Sequence, residues 1–371
     1  MTLAPVMTLE IDENFPWSTA YFPDGKRMIS VYSDNTIRQW DLQAGKEIEE
    51  VRDVCGESLS LAKISRDCRW VMTSTGDEEF NFWELKAHEV ETGIVKTFQD
   101  SRVCSGIDIS ADGKLLASGS FDGTVLIWGM DTGELVAGPF RSEDGVDAVR
   151  FSPDSKKLAA QSHRRKCLEV WDVQTQKLDA RVGARKQGNS IPTSAVFWTK
   201  KGTILAAFNF DFDDNDSRPT TIYEFDASTL ETVGDPFKGH TDLIHQLAFS
   251  FDGTLLGSSS FDDTIKLWSI EPHCLLATFD TQPGLYPSII FSPDARQLAY
   301  STHDGIFIYT IPPIILTSIR LASDAQAIVR ICCIYLIVDV LISSSRSVLL
   351  TIQPLMSYSM CMPHCSIHMH Y

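Results

Sequence analysis

The stretch "GHTDLIHQLAFSFDGTLLGSSSFDDTIKLWSI", residues 239 to 270, decides the fold. It holds three short runs rich in apolar and β-branched residues, "LIHQLAF", "LLGSSS" and "TIKLW", divided by "SFDG" and "FDD". Alternating apolar runs of this length are strands, and Asp and Gly at the breaks supply tight-turn chemistry. Helical spacing is absent.

The same pattern recurs on both sides. An aromatic closes a strand-like run at Trp40, Trp83, Trp128, Trp171, Phe225, Trp268 and Tyr309, with gaps of 43, 45, 43, 54, 43 and 41 residues. A second ruler keeps phase with it: "FPDG" at 22, "ISRDC" at 64, "ISADG" at 109, "FSPDS" at 151, "FSFDG" at 249 and "FSPDA" at 291. After most aromatics a polar turn such as "DTGE" leads into a fourth strand such as "LVAGPF". Four strands in about 43 residues is the period of a propeller blade.

These residues resemble the WD40 repeat family, and residues 239 to 270 match its pattern from the Gly-His dipeptide to the strand-ending Trp. The resemblance covers about residues 6 to 310 and implies an all-β, closed seven-bladed propeller. Seven sets of three inner strands have only six outer strands between them. The run "VMTLEI", residues 6 to 11, precedes the first set, so the N-terminal strand is expected to complete the last blade and remove the sheet edges.

The resemblance also assigns residues. His240, Ser258 or one of its neighbours Ser259 and Ser260, Asp262 and Trp268 correspond to the buried hydrogen-bonded tetrad of the family. A buried imidazole and indole need partners, since an unpaired buried polar group costs roughly 1–3 kcal/mol. The same residue types could make a hydrolase triad, but no Gly-x-Ser-x-Gly elbow accompanies them. Asp34, Asp77 and Asp122 hold the turn position in their blades without a Gly-His dipeptide, and the fourth blade has Arg165 there.

The family uses one end of its ring for partners. Phe121 and Phe261, just before the turn Asp of "SFDGT" and "SFDDT", are expected at that end. An exposed aromatic can anchor a partner or cover a neighbouring loop. His245 and Asp147, at matching positions near the start of a first strand, and Arg164 are further candidate contacts. So are Asp213 and Asp214 in "DFDDNDSRP", residues 211 to 219, an insertion of about nine residues between the second and third strands of the fifth blade. Its opening imitates a calcium loop, but Asp216 and Ile222 stand where that loop needs Gly and a bidentate Glu.

Composition sets the outer bounds. The formal charge is −17 and the pI about 4.9, which excludes a basic nucleic-acid footprint and favours protein or peptide partners with basic segments. "MTLAPVMTLEIDENFP" has no basic-then-apolar signal, so a cytoplasmic or nuclear location is expected. The cysteines number nine, an odd count, and Cys55, Cys68, Cys104, Cys167 and Cys274 lie singly in strand-like segments, which suits reduced thiols better than a disulfide framework.

From Ile311 the composition changes. Residues 311 to 371 lack Gly, Lys, Glu and Trp, and their three Arg against two Asp leave the acidity to the ring. They form a non-propeller extension that is docked, disordered or read from an altered frame. "ICCIYLIVDVLI" is too short to span a membrane. The Cys and His of "CMPHCSIHMH" have permissive zinc spacing but no scaffold.

No metal and no cofactor is expected. A propeller hydrolase or lyase would place polar ligands on its innermost strands, whereas these read "SLSLAKI", "GIDI", "AVRF", "HQLAF" and "SIIF", mostly apolar. The sequence therefore points to a non-catalytic scaffold for protein–protein interaction, with a regulatory module of a larger signalling assembly as the alternative.

Overall fold

In a computed structural model the chain folds as a ring of seven four-stranded antiparallel sheets. The structure describes residues 5 to 317 apart from 12–13, 15, 54–58, 78–81, 99–103, 143–144, 163–166, 184–195, 209, 211–218, 282–287 and 303. Blade 1 holds β2 (Pro16–Tyr21), β3 (Arg27–Tyr32), β4 (Thr36–Asp41) and β5 (Lys46–Asp53). Blade 2 holds β6 (Leu59–Ile64), β7 (Trp70–Asp77), β8 (Phe82–Glu89) and β9 (Val95–Phe98). Blade 3 follows with β10 (Cys104–Ile109), β11 (Leu115–Ser120), β12 (Thr124–Gly129) and β13 (Leu135–Arg141). Blade 4 comprises β14 (Val146–Phe151), β15 (Lys157–Ser162), β16 (Cys167–Asp172) and β17 (Leu178–Gly183). In blade 5 the strands are β18 (Val196–Trp198), β19 (Thr203–Ala207), β20 (Thr221–Asp226) and β21 (Thr232–Lys238). Blade 6 has β22 (Ile244–Phe249), β23 (Leu255–Ser260), β24 (Thr264–Ser269) and β25 (Cys274–Asp280). Blade 7 takes β26 (Ser288–Phe291), β27 (Gln297–Thr302) and β28 (Gly305–Thr310) from one end of the repeat region and β1 (Met7–Leu9) from the other.

The turns between first and second strands show why the repeat signature works. In "ISADG" the Ser110 hydroxyl donates to Asp112 (2.6 Å) and accepts the Leu115 amide (2.8 Å), closing the turn on its own side chains. Ser65, Ser152, Ser250 and Ser292 repeat the arrangement with Asp67, Asp154, Asp252 and Asp294. Each turn then passes through one left-handed residue, Gly25, Gly113, Gly202 and Gly253 in four blades but Cys68, Ser155 and Ala295 in the others. A side chain at such a φ costs roughly 1–2 kcal/mol.

Apolar side chains from each sheet meet those of the next. Leu205, Ala207, Ile222 and Phe237 of blade 5 pack on Ile244, Leu247, Leu256 and Trp268 of blade 6, and every other seam is built the same way. The last seam depends on β1. Its register sets Met7 against Ile308, Thr8 against Phe307 and Leu9 against Ile306. Leu9, 1% exposed, enters a cluster with Met28, Tyr32, Trp40, Ile306 and Ile308.

Two sequence readings change. Trp83 does not close the inner run of blade 2: it lies near the start of β8, opposite Gly76, and His88 pairs with Val71 where Trp128 pairs with Leu116 and Trp268 with Leu256. The longer β7–β8 hairpin moved the register, and an aromatic five residues early disguised it. The propeller pattern also runs one residue past the expected boundary. The Ile311 amide donates to Arg296 O (2.8 Å), as Met130 donates to Lys114 O and Ile270 to Thr254 O, and Ile311 is buried. Ile315 and Leu316, in a helical turn over 313–317, pack partly on the cluster shared by blades 6 and 7. The remainder of the extension, with its candidate zinc ligands, lies outside the described residues.

Among the described cysteines Cys68, Cys104 and Cys167 are buried thiols and Cys274 is exposed. No helix among the described residues is long and apolar enough to cross a membrane.

Two stability outcomes follow. Leu9→Ala lowers unfolding free energy by about 2–4 kcal/mol, the range for a buried Leu, and deleting residues 1–12 lowers Tm further; calorimetry showing an unchanged Tm would overturn the closure. Ser155→Gly raises stability by ~0.5–1 kcal/mol by relieving the left-handed Cβ, read by urea denaturation.

Candidate functional site

Blade 6 brings His240, Ser258, Asp262 and Trp268 into one chain of hydrogen bonds. Trp268 Nε1 donates to Ser258 Oγ (2.8 Å), Ser258 Oγ lies 2.7 Å from His240 Nε2, and His240 Nδ1 lies 2.9 Å from Asp262 Oδ2. Asp262 also accepts the Thr241 and Thr264 amides and the Thr264 hydroxyl. Burial holds the His240 pKa below its ordinary value despite Asp262, so the neutral ring donates from Nδ1 and accepts at Nε2. The carboxylate is held below its usual range: burial raises its pKa, and the hydrogen bonds from Thr264, Thr241 and His240 outweigh that. The order Asp–His–Ser copies a hydrolase triad, yet Ser258 is 0% exposed and Trp268 occupies its free side. A nucleophile without surface meets no substrate.

Three other blades give the equivalent ring a partner of their own, whereas Trp40 Nε1 of blade 1 is buried and has no hydrogen-bond partner among the described residues. Ser118 accepts Trp128 Nε1 at 3.2 Å. In blade 2, Thr73 Oγ1 lies 3.1 Å from His88 Nε2, and burial pushes the His88 pKa down to about 4, leaving it neutral. Blade 4 has Ala160 where the serine would stand, and buried Glu169 accepts Trp171 Nε1 (3.2 Å) while Arg181 approaches its other oxygen (3.6 Å). A lone glutamate in the apolar run "CLEVW" was the available signal.

Phe121 and Phe261 both sit directly after second strands, β11 and β23, and so at the same end of their blades. Phe121 is 39% exposed; Phe261 is half-buried, its ring 5.2 Å from that of His245. His245 and Asp147 are buried, so they form the wall beneath this rim and offer a partner no surface. The bulges at the starts of β22 and β14, which turn these side chains inward, have no sequence signature. Arg164, Asp213 and Asp214 lie outside the described residues. The acidic insertion does leave between β19 and β20. Its flanks are Phe210, packed on Phe208 and Tyr223, and buried Pro219, whose carbonyl accepts the Ile244 amide.

Sequence reasoning missed a polar clamp between blades 5 and 6. His273 donates from Nε2 to Glu224 Oε2 (2.7 Å) and from Nδ1 to Asp235 O (2.6 Å), and stacks on Phe237 at 4.4 Å. Two acceptors require both ring nitrogens protonated. The Glu224 hydrogen bond raises the His273 pKa against the opposing effect of burial. Burial would raise the Glu224 pKa, but hydrogen bonds from His273 and Thr203 hold it down.

A raised histidine pKa stabilises fully below the unfolded value of 6.5 and loses that contribution as pH climbs through the folded one. The lowered Glu224 pKa stabilises above its unfolded value of 4.5 and fails as pH falls through the folded one. His273→Ala is therefore more costly at pH 5.5 than at pH 8.5; equal losses in urea melts at both would refute the clamp's charge.

The family model described as "WD domain, G-beta repeat" matches residues 4–41, 93–129 and 231–269. Similar proteins include a transcriptional corepressor of Arabidopsis thaliana, 27% identical over 56% of this chain and 30% of the relative. A WD repeat-containing protein of Schistosoma mansoni is 28% identical over 56% of this chain and 64% of its own length. A guanine nucleotide-binding protein subunit beta of Arabidopsis thaliana is 24% identical over 55% and 54%. The match thus spans less than two thirds of each of these relatives. With three matched repeats, seven closed blades and the hydrogen-bonded chain of blade 6, the protein is a WD40 repeat propeller.

Proposed function

We propose that the chain is a non-catalytic scaffold that holds a protein partner at the end of the ring bearing Phe121 and Phe261. WD40 propellers, including relatives such as the G-protein beta subunit, are typically scaffolds for protein interactions. The observation that carries the reading is that exposed Phe121 of blade 3 and half-buried Phe261 of blade 6 both follow second strands and so stand at the same end of their blades. A rigid surface loses little conformational freedom on binding. The carboxylate and hydroxyl of the triad-like set in blade 6 are locked in a buried chain, which leaves them no catalytic work.

The partner carries basic segments, attracted by an acidic ring through a field that decays over about 8 Å at physiological salt. Asp213, Asp214 and Arg164 belong to the same proposal as loop contacts, and the expected setting is the cytoplasm or nucleus. A second reading, a regulatory propeller within a larger assembly, is favoured by the corepressor, of which the matched region is only 30%.

Proximity labelling with the native chain and with the Phe121→Ala/Phe261→Ala variant tests the face. Partners that depend on the rim drop at least tenfold from the variant's list while Tm stays unchanged; an unaltered list counts against the face.

A further inference from the structure

The first strands of successive blades lie against one another round the ring, β6 on β10, β10 on β14, β14 on β18, and β26 back on β2. One register position on this inner ring departs from its apolar surroundings. Lys63 opposite Met72, Asp108 opposite Ala117 and Arg150 opposite Ala159 are equivalent residues of blades 2, 3 and 4. The same position holds Ala20, Phe197, Ala248 and Ile290 in the other blades. Reading "SLSLAKI", "GIDI" and "AVRF" as apolar strands passed over these three charges, which only the ring brings together.

Their pairing is incomplete. Arg150 is 6% exposed; its Nη1 donates to Val149 O (2.9 Å) and Ile107 O (3.3 Å) and lies 3.7 Å from Asp108 Oδ1, with the Phe197 ring 5.0 Å from its guanidinium carbon. Asp108 Oδ2 is already engaged by the Phe151 amide (2.8 Å). Arg150 Nη2 is buried and meets no acceptor among the described residues. Lys63 is half-buried. Burial brings its pKa down to about 7, Arg150 pushing the same way and Asp108 opposing. Arg66, exposed in the turn after β6, adds a third cation that acts on Arg150.

Among the described residues Lys63 and Arg150 both act with Asp108, and Arg66 acts on Arg150, in a chain where acidic residues outnumber basic ones 49 to 32. A buried guanidinium with an unspent N–H edge is costly, and with a half-buried ammonium acting on it that edge suits a tetrahedral oxyanion. We propose that Lys63 and Arg150, with Arg66 at the rim, bind a phosphate-class oxyanion at the inner ring of blades 2 to 4. The site lies near the turns that join first to second strands, the opposite end of the blades from Phe121, so it stands or falls independently of the partner-binding face. Inorganic phosphate and a phosphoryl group on a small molecule share this chemistry.

Isothermal titration of the full chain with inorganic phosphate, O-phosphoserine and sulfate tests the proposal. Sulfate is the pH probe because it keeps its charge over the range, so any slope belongs to the protein. Saturable binding is expected, about tenfold weaker at pH 8 than at pH 6 as Lys63 loses its proton. Lys63→Met, which keeps the stem, weakens binding at least tenfold and flattens that slope, whereas Asp108→Asn strengthens binding. Phosphate with O-phosphoserine excluded assigns the site to the free ion; comparable affinities assign it to phosphoryl groups in general. No saturable heat from phosphate or sulfate at millimolar concentration, or Lys63→Met binding like the native chain, overturns it.

Discussion

The hydrogen bonds between β1 and β28 are the constraint on which the ring depends. Without them blade 7 would keep three strands, β28 would present an open edge, and the cluster that joins blades 7 and 1 would lose Leu9. Every other seam is built from sheets that are local in sequence. This one alone ties the two ends of the repeat region, so it turns a curved stack of blades into a closed body.

Within each blade the demand is polar rather than apolar. A ring N–H at the third-strand position is buried in several blades, and an unpaired one would forfeit free energy comparable to a lost hydrogen bond. Ser118, Ser258, Thr73 and Glu169 are different answers to that demand. The variety explains how repeats so unlike in sequence keep one geometry. In blades 2, 3, 4 and 6 what persists is a satisfied buried ring rather than a particular side chain, while Trp40 Nε1 of blade 1 is buried without a partner among the described residues.

The legible part of the sequence was its local chemistry. Ser-x-Asp turns, alternating apolar runs and the missing outer strand all act within a few residues or by simple strand counting, and they led to the blades, their order and the closure. The tetrad of blade 6 was legible because His240 through Trp268 lie within one repeat. His88 was hidden by a change of hairpin length, and Glu169 because it serves Trp171 from the same strand, outside the tetrad pattern. The His273 clamp and the Lys63–Asp108–Arg150 set could not be read because their partners sit one or two blades away. Charges in strand sequences look solvated until topology gives them neighbours. His245 and Asp147, both buried, stand at register shifts near the strand starts, which the sequence does not mark.

The pairing of β1 with β28 has a consequence for how the protein is made. During synthesis β1 emerges first and its partner last, so the earliest strand waits unpaired while the blades between accumulate. Blades 1 to 6 can each form from contiguous chain, but the final seam must bring together segments separated by the whole repeat region, with the loop-closure entropy that entails. Ring closure is therefore a late event governed by contacts of long sequence separation. Until it occurs, Leu9 and the exposed side of β28 are the surfaces that a chaperone or a second nascent copy would meet.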